Sequence, residues 1–280
     1  MHPSLSSQTA LWAATYRSDH QILEQGLIFK DPFARRLIGL ADTDPPSADH
    51  DRPPNRRMRL FMAARSRFAE DRLAEAFERG VRQLVLLGAG LDTFSLRNPM
   101  AMGGLRVFEV DHPATQAWKR ERLGAAGLAP SSGTNFVAVD FERDDVLANL
   151  SDGGFNPEAP SFFIWLGVVP YLVRATVTAT LAAIARLPRP EIVLDYTEPF
   201  EAADTDTRAF LAEHAETVRA FGEPWITFFG TDEIASTLHG LGFDAITDFR
   251  AAAAVAHYLN RPPPAGRTGG GHALHARVTR

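Results

Sequence analysis

Two hydrophobic periods divide this chain. Up to about residue 80, apolar positions recur at helical spacing; beyond it, short apolar runs alternate with helical stretches. Residues 8–24 and 31–40 read as helices, the second opening on Asp31-Pro32, a capping residue followed by proline in the first turn. Residues 42–54 are crowded with proline and acid and predict an exposed loop. Over 55–79, Met58, Phe61, Met62, Phe68, Ala69, Leu73 and Ala76 share one face of a long amphipathic helix. Strands are then expected at 83–87, 105–110, 135–140, 161–166 and 191–196, with helices at 113–126, 142–150, 172–186 and 201–221 between and after them. A helix (231–241), a strand (243–249), a helix (251–260) and a strand (273–279) close the chain. This βαβ alternation predicts an α/β fold, with a mostly parallel sheet covered on both faces. It divides the chain into an N-terminal helical cap, 1–80, and a sheet unit, 81–280. The stretch RPPPAGRTGGGH before the last strand reads as a mobile loop.

Composition narrows the function. At 280 residues and 45% hydrophobic, the chain can bury a large core. A net charge of −5 provides no basic field, so nucleic acid is not expected as a partner. The absence of cysteine excludes thiolate nucleophiles, disulfides and cysteine-based metal sites. No His-Glu-x-x-His or clustered His/Asp spacing points to a metal, and no Gly-x-Ser-x-Gly elbow appears. The N-terminus lacks a secretory pattern, and no apolar run is long enough to span a bilayer. A cytoplasmic protein without membrane partners is therefore expected.

Four features carry the candidate chemistry. First, the strand at 83–87 runs into Gly88-Ala89-Gly90, a turn at the carboxyl end of a strand, where open α/β sheets bind ligands. Thr93 stands where a dinucleotide fingerprint has its third glycine, so glycines needed only for chain geometry are an equal reading of this motif. Second, the strand at 105–110 runs into two acids, Glu109 and Asp111, 21 and 23 residues past Gly88. A carboxylate there grips a ribose hydroxyl. Asp111, nearer the strand end, is the candidate, and Glu109 could equally serve a salt bridge or cap. Third, Asp140-Phe141 ends another strand. An aspartate can accept from an adenine amino group; capping the helix at 142–150 competes with that role. Fourth, Arg65 falls in the middle of the apolar stripe of the long helix, where a cation needs a partner. That partner is a ligand carboxylate or an internal acid, and Arg72 competes for the position.

Taken together, "DPFARRLIG" (31–39), "AARSRFAEDRL" (63–73), "RQLVLLGAGLDTFSLR" (82–97), "FEVDHPATQAWKRERL" (108–123), "FVAVDF" (136–141), "WLGVVPYL" (165–172), "EIVLDYTEP" (191–199) and "GEPWITFF" (222–229) resemble the leucine carboxyl methyltransferase family. That family includes protein-phosphatase carboxyl methyltransferases and a large bacterial group of small-molecule O-methyltransferases. The resemblance implies a Rossmann-like class I methyltransferase sheet of seven strands, one of them antiparallel, with an N-terminal helical cap. It also implies S-adenosyl-L-methionine as cofactor. By that pattern Arg65 binds the methionine carboxylate, Gly88 with Ala89 and Gly90 lies against the methionine portion, Asp111 holds the ribose, and Asp140 with Phe141 frames the adenine. The chain departs from the pattern at Phe141, where leucine is usual, at Leu166, where many members carry an acid, and at Phe94, where arginine usually follows Asp-Thr.

The methyl acceptor is then expected to be a small molecule bearing a carboxyl or phenolic hydroxyl, such as a secondary metabolite. Trp165, Tyr171, Tyr196 and Trp225 are the candidate acceptor-binding residues, with Phe200 beside them; plain core packing is the competing role for each. His257, Tyr171 and Glu198 are candidate catalytic groups, and His112 a further base. Two other readings compete: an NAD-dependent oxidoreductase, opposed by the missing third glycine and by Asp92, and a fold that binds the cofactor without transferring methyl.

Overall fold

The computed structural model describes residues 7–279. Its sheet grows outward from β1 (Gln83–Leu87), all five residues of which are buried. The other strands are β2 (Arg106–Asp111), β3 (Thr134–Ala138), β4 (Phe162–Trp165), β5 (Glu191–Thr197), β6 (Ala245–Arg250) and β7 (Gly271–Arg277). Their order is β3-β2-β1-β4-β5-β7-β6. β1 to β5 pair in parallel, and β7 runs antiparallel to both neighbours. This is the Rossmann-like sheet, seven strands with one reversed, that the family resemblance implies. The order reverses between β1 and β4, so a crevice opens at the carboxyl ends of β1, β2 and β4.

The helices are α1 (Gln8–Leu23), α2 (Ala34–Leu37), α3 (Pro53–Glu78), α4 (Phe94–Arg97), α5 (Pro113–Ala125), α6 (Val146–Asp152), α7 (Arg174–Ala185), α8 (Thr205–Ala220), α9 (Thr231–Gly240) and α10 (Ala251–Tyr258). Side chains alternate across the strands. Val85, Leu87, Phe108, Phe163 and Trp165 therefore enter one core with α6, α7 and α9. Leu84, Leu86, Val107, Phe162 and Ile164 enter the other, against Phe68, Leu73 and Ala76 of α3. Both faces are covered, which is why the inner strands read as continuous apolar runs.

Departures from expectation have local causes. The helix expected at 31–40 shrinks to the single turn of α2, because the Asp31 carboxylate accepts the Phe33 N–H (3.3 Å). α3 starts two residues early, its first positions taken by prolines. The cap of α6 is Asp145, which accepts from Leu147 and Ala148, so the helix starts at 146 rather than 142. α7 follows a 3₁₀ turn at 169–171. α8 starts at 205 because Asp204 caps it. The proline-rich loops are anchored. His50, in the loop expected to be exposed, is buried with its Nδ1 2.7 Å from Asp19. In the loop before β7, the Thr268 N–H donates to Asp204 (2.9 Å), and a Cβ at Gly269 would come within 2.6 Å of the Ala203 Cα.

Candidate active site

The tips of β1 and β2 are cinched by backbone. The N–H groups of Gly88 and Ala89 both donate to the Val110 carbonyl, at 2.8 and 3.0 Å. Gly88 has φ +67°, and a Cβ there would lie 2.3 Å from a Val168 methyl, so no other residue fits without displacing that loop. The Asp111 carboxylate accepts from Gly90 N–H and, at 2.7 Å, from His112 N–H. Burial pushes Asp111 up to about 6, against the lowering effect of those two donors and of Lys119.

Arg65 is buried in α3 and ion-paired with Asp195 of β5. The other Asp195 oxygen accepts the Gly167 N–H (2.6 Å). Gly167, at φ +72°, makes room for the guanidinium: a Cβ there would sit 3.1 Å from Arg65 Nη2. An internal acid thus holds one Arg65 nitrogen, as one of the two sequence readings has it. Asp195 itself was not singled out from sequence. Its signal was a lone acid inside the apolar run of β5, where a charge on a doubly covered strand requires a partner.

Asp140 lies two residues beyond the end of β3, since that strand stops at Ala138. It does not cap α6. Its carboxylate accepts the Glu142 N–H (3.1 Å) and faces Arg143 at 3.6 Å. The Phe141 ring lies over Trp165, with centroids 6.3 Å apart and planes 27° from parallel. Arg65, the turn 88–90, Asp111, Asp140 and Phe141 all line one cavity of about 500 Å³. The same cavity carries an apolar lining of Trp12, Met58, Phe61, Met62 and Phe210. Tyr171 and Trp225 both line it, and burial pushes the Tyr171 phenol up to about 12. Burial therefore favours the protonated phenol.

Several expected site residues lie elsewhere. Trp165 is fully buried on the opposite face of β4, beside Phe163, and does not reach the cavity wall. Glu198 also lies outside that wall, 2.9 Å from His272 Nε2, in a buried pair between β5 and β7. His257 sits exposed on α10, stacked on Phe249. Phe200 packs edge-on against Phe228. Tyr196 does line the cavity, but its hydroxyl donates to Asp248 (2.6 Å). His112, also on the wall, spends its Nδ1 accepting the Ala114 N–H at the start of α5. Glu109 pairs with Lys119 at 2.6 Å, and Arg72 with Glu75 at 2.6 Å. Among the described residues no acidic or histidine cluster is arranged to hold a metal, and no helix is long and apolar enough to cross a membrane.

Comparison with known proteins adds independent findings. A model described as leucine carboxyl methyltransferase matches residues 10–185. YktD of Bacillus subtilis, named a "putative S-adenosyl-L-methionine-dependent methyltransferase", is 36% identical over 184 residues, covering 64% of this chain and 59% of that protein. A Mycobacterium marinum protein with the same description is 31% identical over 214 residues, 72% of this chain and 67% of its own. The chain's matches span 59%, 42% and 60% of the lengths of the Bacillus, Parafrankia and Mycobacterium strain KMS relatives. Among solved structures, a DUF574 family protein from Streptomyces avermitilis shares the fold, with a TM-score of 0.60 at 15% identity, over 95% of this chain and 97% of that one.

Proposed function

The chain belongs to the leucine carboxyl methyltransferase family, and from that premise we propose that it is an S-adenosylmethionine-dependent methyltransferase acting on a carboxyl or phenolic oxygen of a small molecule. The observation that carries this reading is the meeting of Arg65, the glycine turn, Asp111 and Asp140-Phe141 around one cavity. The donor set suits a nucleoside with an amino-acid tail. A carboxylate with lone pairs to spare stands at the tip of β2, a ring and a second carboxylate follow β3, and a cation–acid pair lines the same cavity. The cavity's size falls in the ordinary range for ligand sites, roughly 300–1,000 Å³.

The cofactor, when bound, supplies a methyl group activated by a sulfonium for in-line displacement. The chain's own groups bind and orient. Two backbone donors occupy Asp111, which keeps lone pairs for ribose hydroxyls. Arg65, tied to Asp195 through one nitrogen, has further N–H groups for a carboxylate. Asp140 is offered to an adenine amino group, and Phe141 flanks the base. The apolar lining of the cavity excludes water and aligns the acceptor. Such positioning supplies up to about 7–11 kcal/mol of a barrier. A carboxylate acceptor is ionised at neutral pH and needs no base. Tyr171, held protonated, can only donate to it.

Calorimetry with S-adenosylhomocysteine and, separately, NAD tests the cofactor class. S-adenosylhomocysteine is expected to bind and NAD is not; NAD binding alone overturns the reading. Transfer of labelled methyl to a panel of phenols and carboxylic acids tests the acceptor atom. A base-labile product marks a methyl ester, and a base-stable one a methyl ether.

A further inference from the structure

Four arginines line the cavity, and three of them have acidic partners. Arg17 is 3.4 Å from Asp31 and also donates to the Leu91 carbonyl, Arg65 pairs with Asp195, and Arg143 faces Asp140. The fourth, Arg57, has no carboxylate within ion-pairing distance among the described residues. Its contacts are the Thr207 hydroxyl (3.1 Å) and the Phe210 ring, 4.3 Å below the guanidinium carbon. The acids of that neighbourhood are committed elsewhere. Arg267 pairs with Asp204 (3.2 Å) and Asp206 (3.0 Å), and Asp204 also accepts from the N–H groups of Thr207 and Thr268. The Thr207 hydroxyl donates to Asp204 (2.8 Å), so it meets Arg57 with a lone pair. Half burial and the like charge of Arg267 together outweigh the opposing pull of Asp204 and Asp206 and hold Arg57 below its ordinary value. A cation placed so, on a ligand cavity, is relieved by an anion from outside the chain.

Its position on α3 gives the distance. Arg57, Phe61 and Arg65 recur every four residues on one stripe of the helix, with Met58 and Met62 alongside, and all five face the cavity. At 1.5 Å per residue, Arg57 and Arg65 stand about 12 Å apart along the axis. Resting on the methyltransferase reading above, we infer that Arg57 recognises a carboxylate at the end of the acceptor remote from the methylated oxygen. The acceptor class is thus an extended apolar acid: a hydrophobic body against Met58, Phe61, Met62 and Phe210, with its anionic end on Arg57. The planar guanidinium favours a two-point carboxylate contact, and Thr207 and Phe210 hold it in plane. Arg57 is therefore a specificity-determining residue.

The test uses ω-phenylalkanoates with two to six methylene groups and their primary amides, titrated into the full chain by calorimetry. Each titration is run with and without saturating S-adenosylhomocysteine. The wild type is expected to bind at least one carboxylate tenfold or more tightly than its amide, with an optimum chain length. Arg57→Met is expected to remove that preference while keeping its affinity for S-adenosylhomocysteine, and Arg57→Lys to retain part of it. Melting curves check that each variant folds. Equal binding of acid and amide by the wild type, or an undiminished preference in Arg57→Met, overturns the inference. Failure of S-adenosylhomocysteine to bind counts against the cofactor reading alone, because the carboxylate preference is read in either state.

Discussion

In the proposed function Asp111 and Arg65 each serve both the fold and the ligand, and each role has its own measurement. Asp111 is raised to about 6 by burial, above its ordinary 3.8. Between those values the folded chain holds a proton that the unfolded chain has lost, so this group's contribution to stability falls as pH rises through the window. In the proposed ribose role, ligand binding reverses the balance, since ribose hydroxyls donate to the ionised form. Affinity for S-adenosylhomocysteine is therefore expected to weaken as pH drops through about 6, with proton release on binding near that pH. Asp111→Asn should lose about 1–3 kcal/mol of binding and flatten the profile; calorimetry in buffers of different ionisation enthalpy reads both. Removing Arg65 leaves Asp195 buried without its cation, a change that costs about 3–5 kcal/mol of stability, measurable by urea unfolding. Arg65→Ala should also weaken S-adenosylhomocysteine while sparing adenosine, which lacks the carboxylate. Equal loss of both ligands would make Arg65 a structural residue. Arg65 was legible in sequence as a cation on an apolar stripe, but its partner, 130 positions away, was not.

At the scale of elements, the long helix α3 is the organiser. It lays Phe68, Leu73 and Ala76 on the sheet and turns Arg57, Phe61 and Arg65 toward the cavity. Its seat is fixed by Arg59, which is wholly buried and grips Glu24, just past the end of α1, with bonds of 2.8 and 2.7 Å. Burial alone would raise Glu24, but hydrogen bonds from Arg59 and His20 hold it at about 2, below its ordinary 4.5. The depressed value means stability that is complete above pH 4.5 and lost as pH falls through about 2. The amount is roughly 2–3 kcal/mol after allowing for partial exposure. Glu24→Gln should remove that stability at neutral pH and flatten the acid limb of urea midpoints between those values. A limb as steep as that of the wild type would show that the α1–α3 clamp carries no such load. Helix existence was legible except for the single turn of α4, too short to show a period. Starts were less so, because Asp145 and Asp204 form local side-chain caps, and Asp31 a turn before α2, whose positions a periodicity does not specify.

Across the whole molecule, the cavity joins α1, α3, α8, the carboxyl ends of β1 to β5 and the segment 222–226. A ligand bound there ties the N-terminal helices to the sheet, and its free energy becomes stability of the entire fold. S-adenosylhomocysteine at a hundred times its Kd should add about 2.7 kcal/mol, read as a rise in the urea midpoint with unchanged slope. A midpoint that does not move despite measured binding would mean that the ligand binds the unfolded chain equally well.

The amino-acid sequence by itself determined the alternation of strands and helices, the bounds of β1, the glycine turn and the acids that follow it. All of these are set by local periodicity, backbone freedom and spacing along one chain. Only the tertiary structure decided which side chains share the cavity. Trp165 leaves it because one step along a strand reverses the face. Glu198 and His257 leave it because buried pairing and surface stacking claim them. Asp195 and Arg57 enter because strand order and helix docking bring together groups far apart in sequence. The partners of a charge depend on that packing, and no periodicity encodes them.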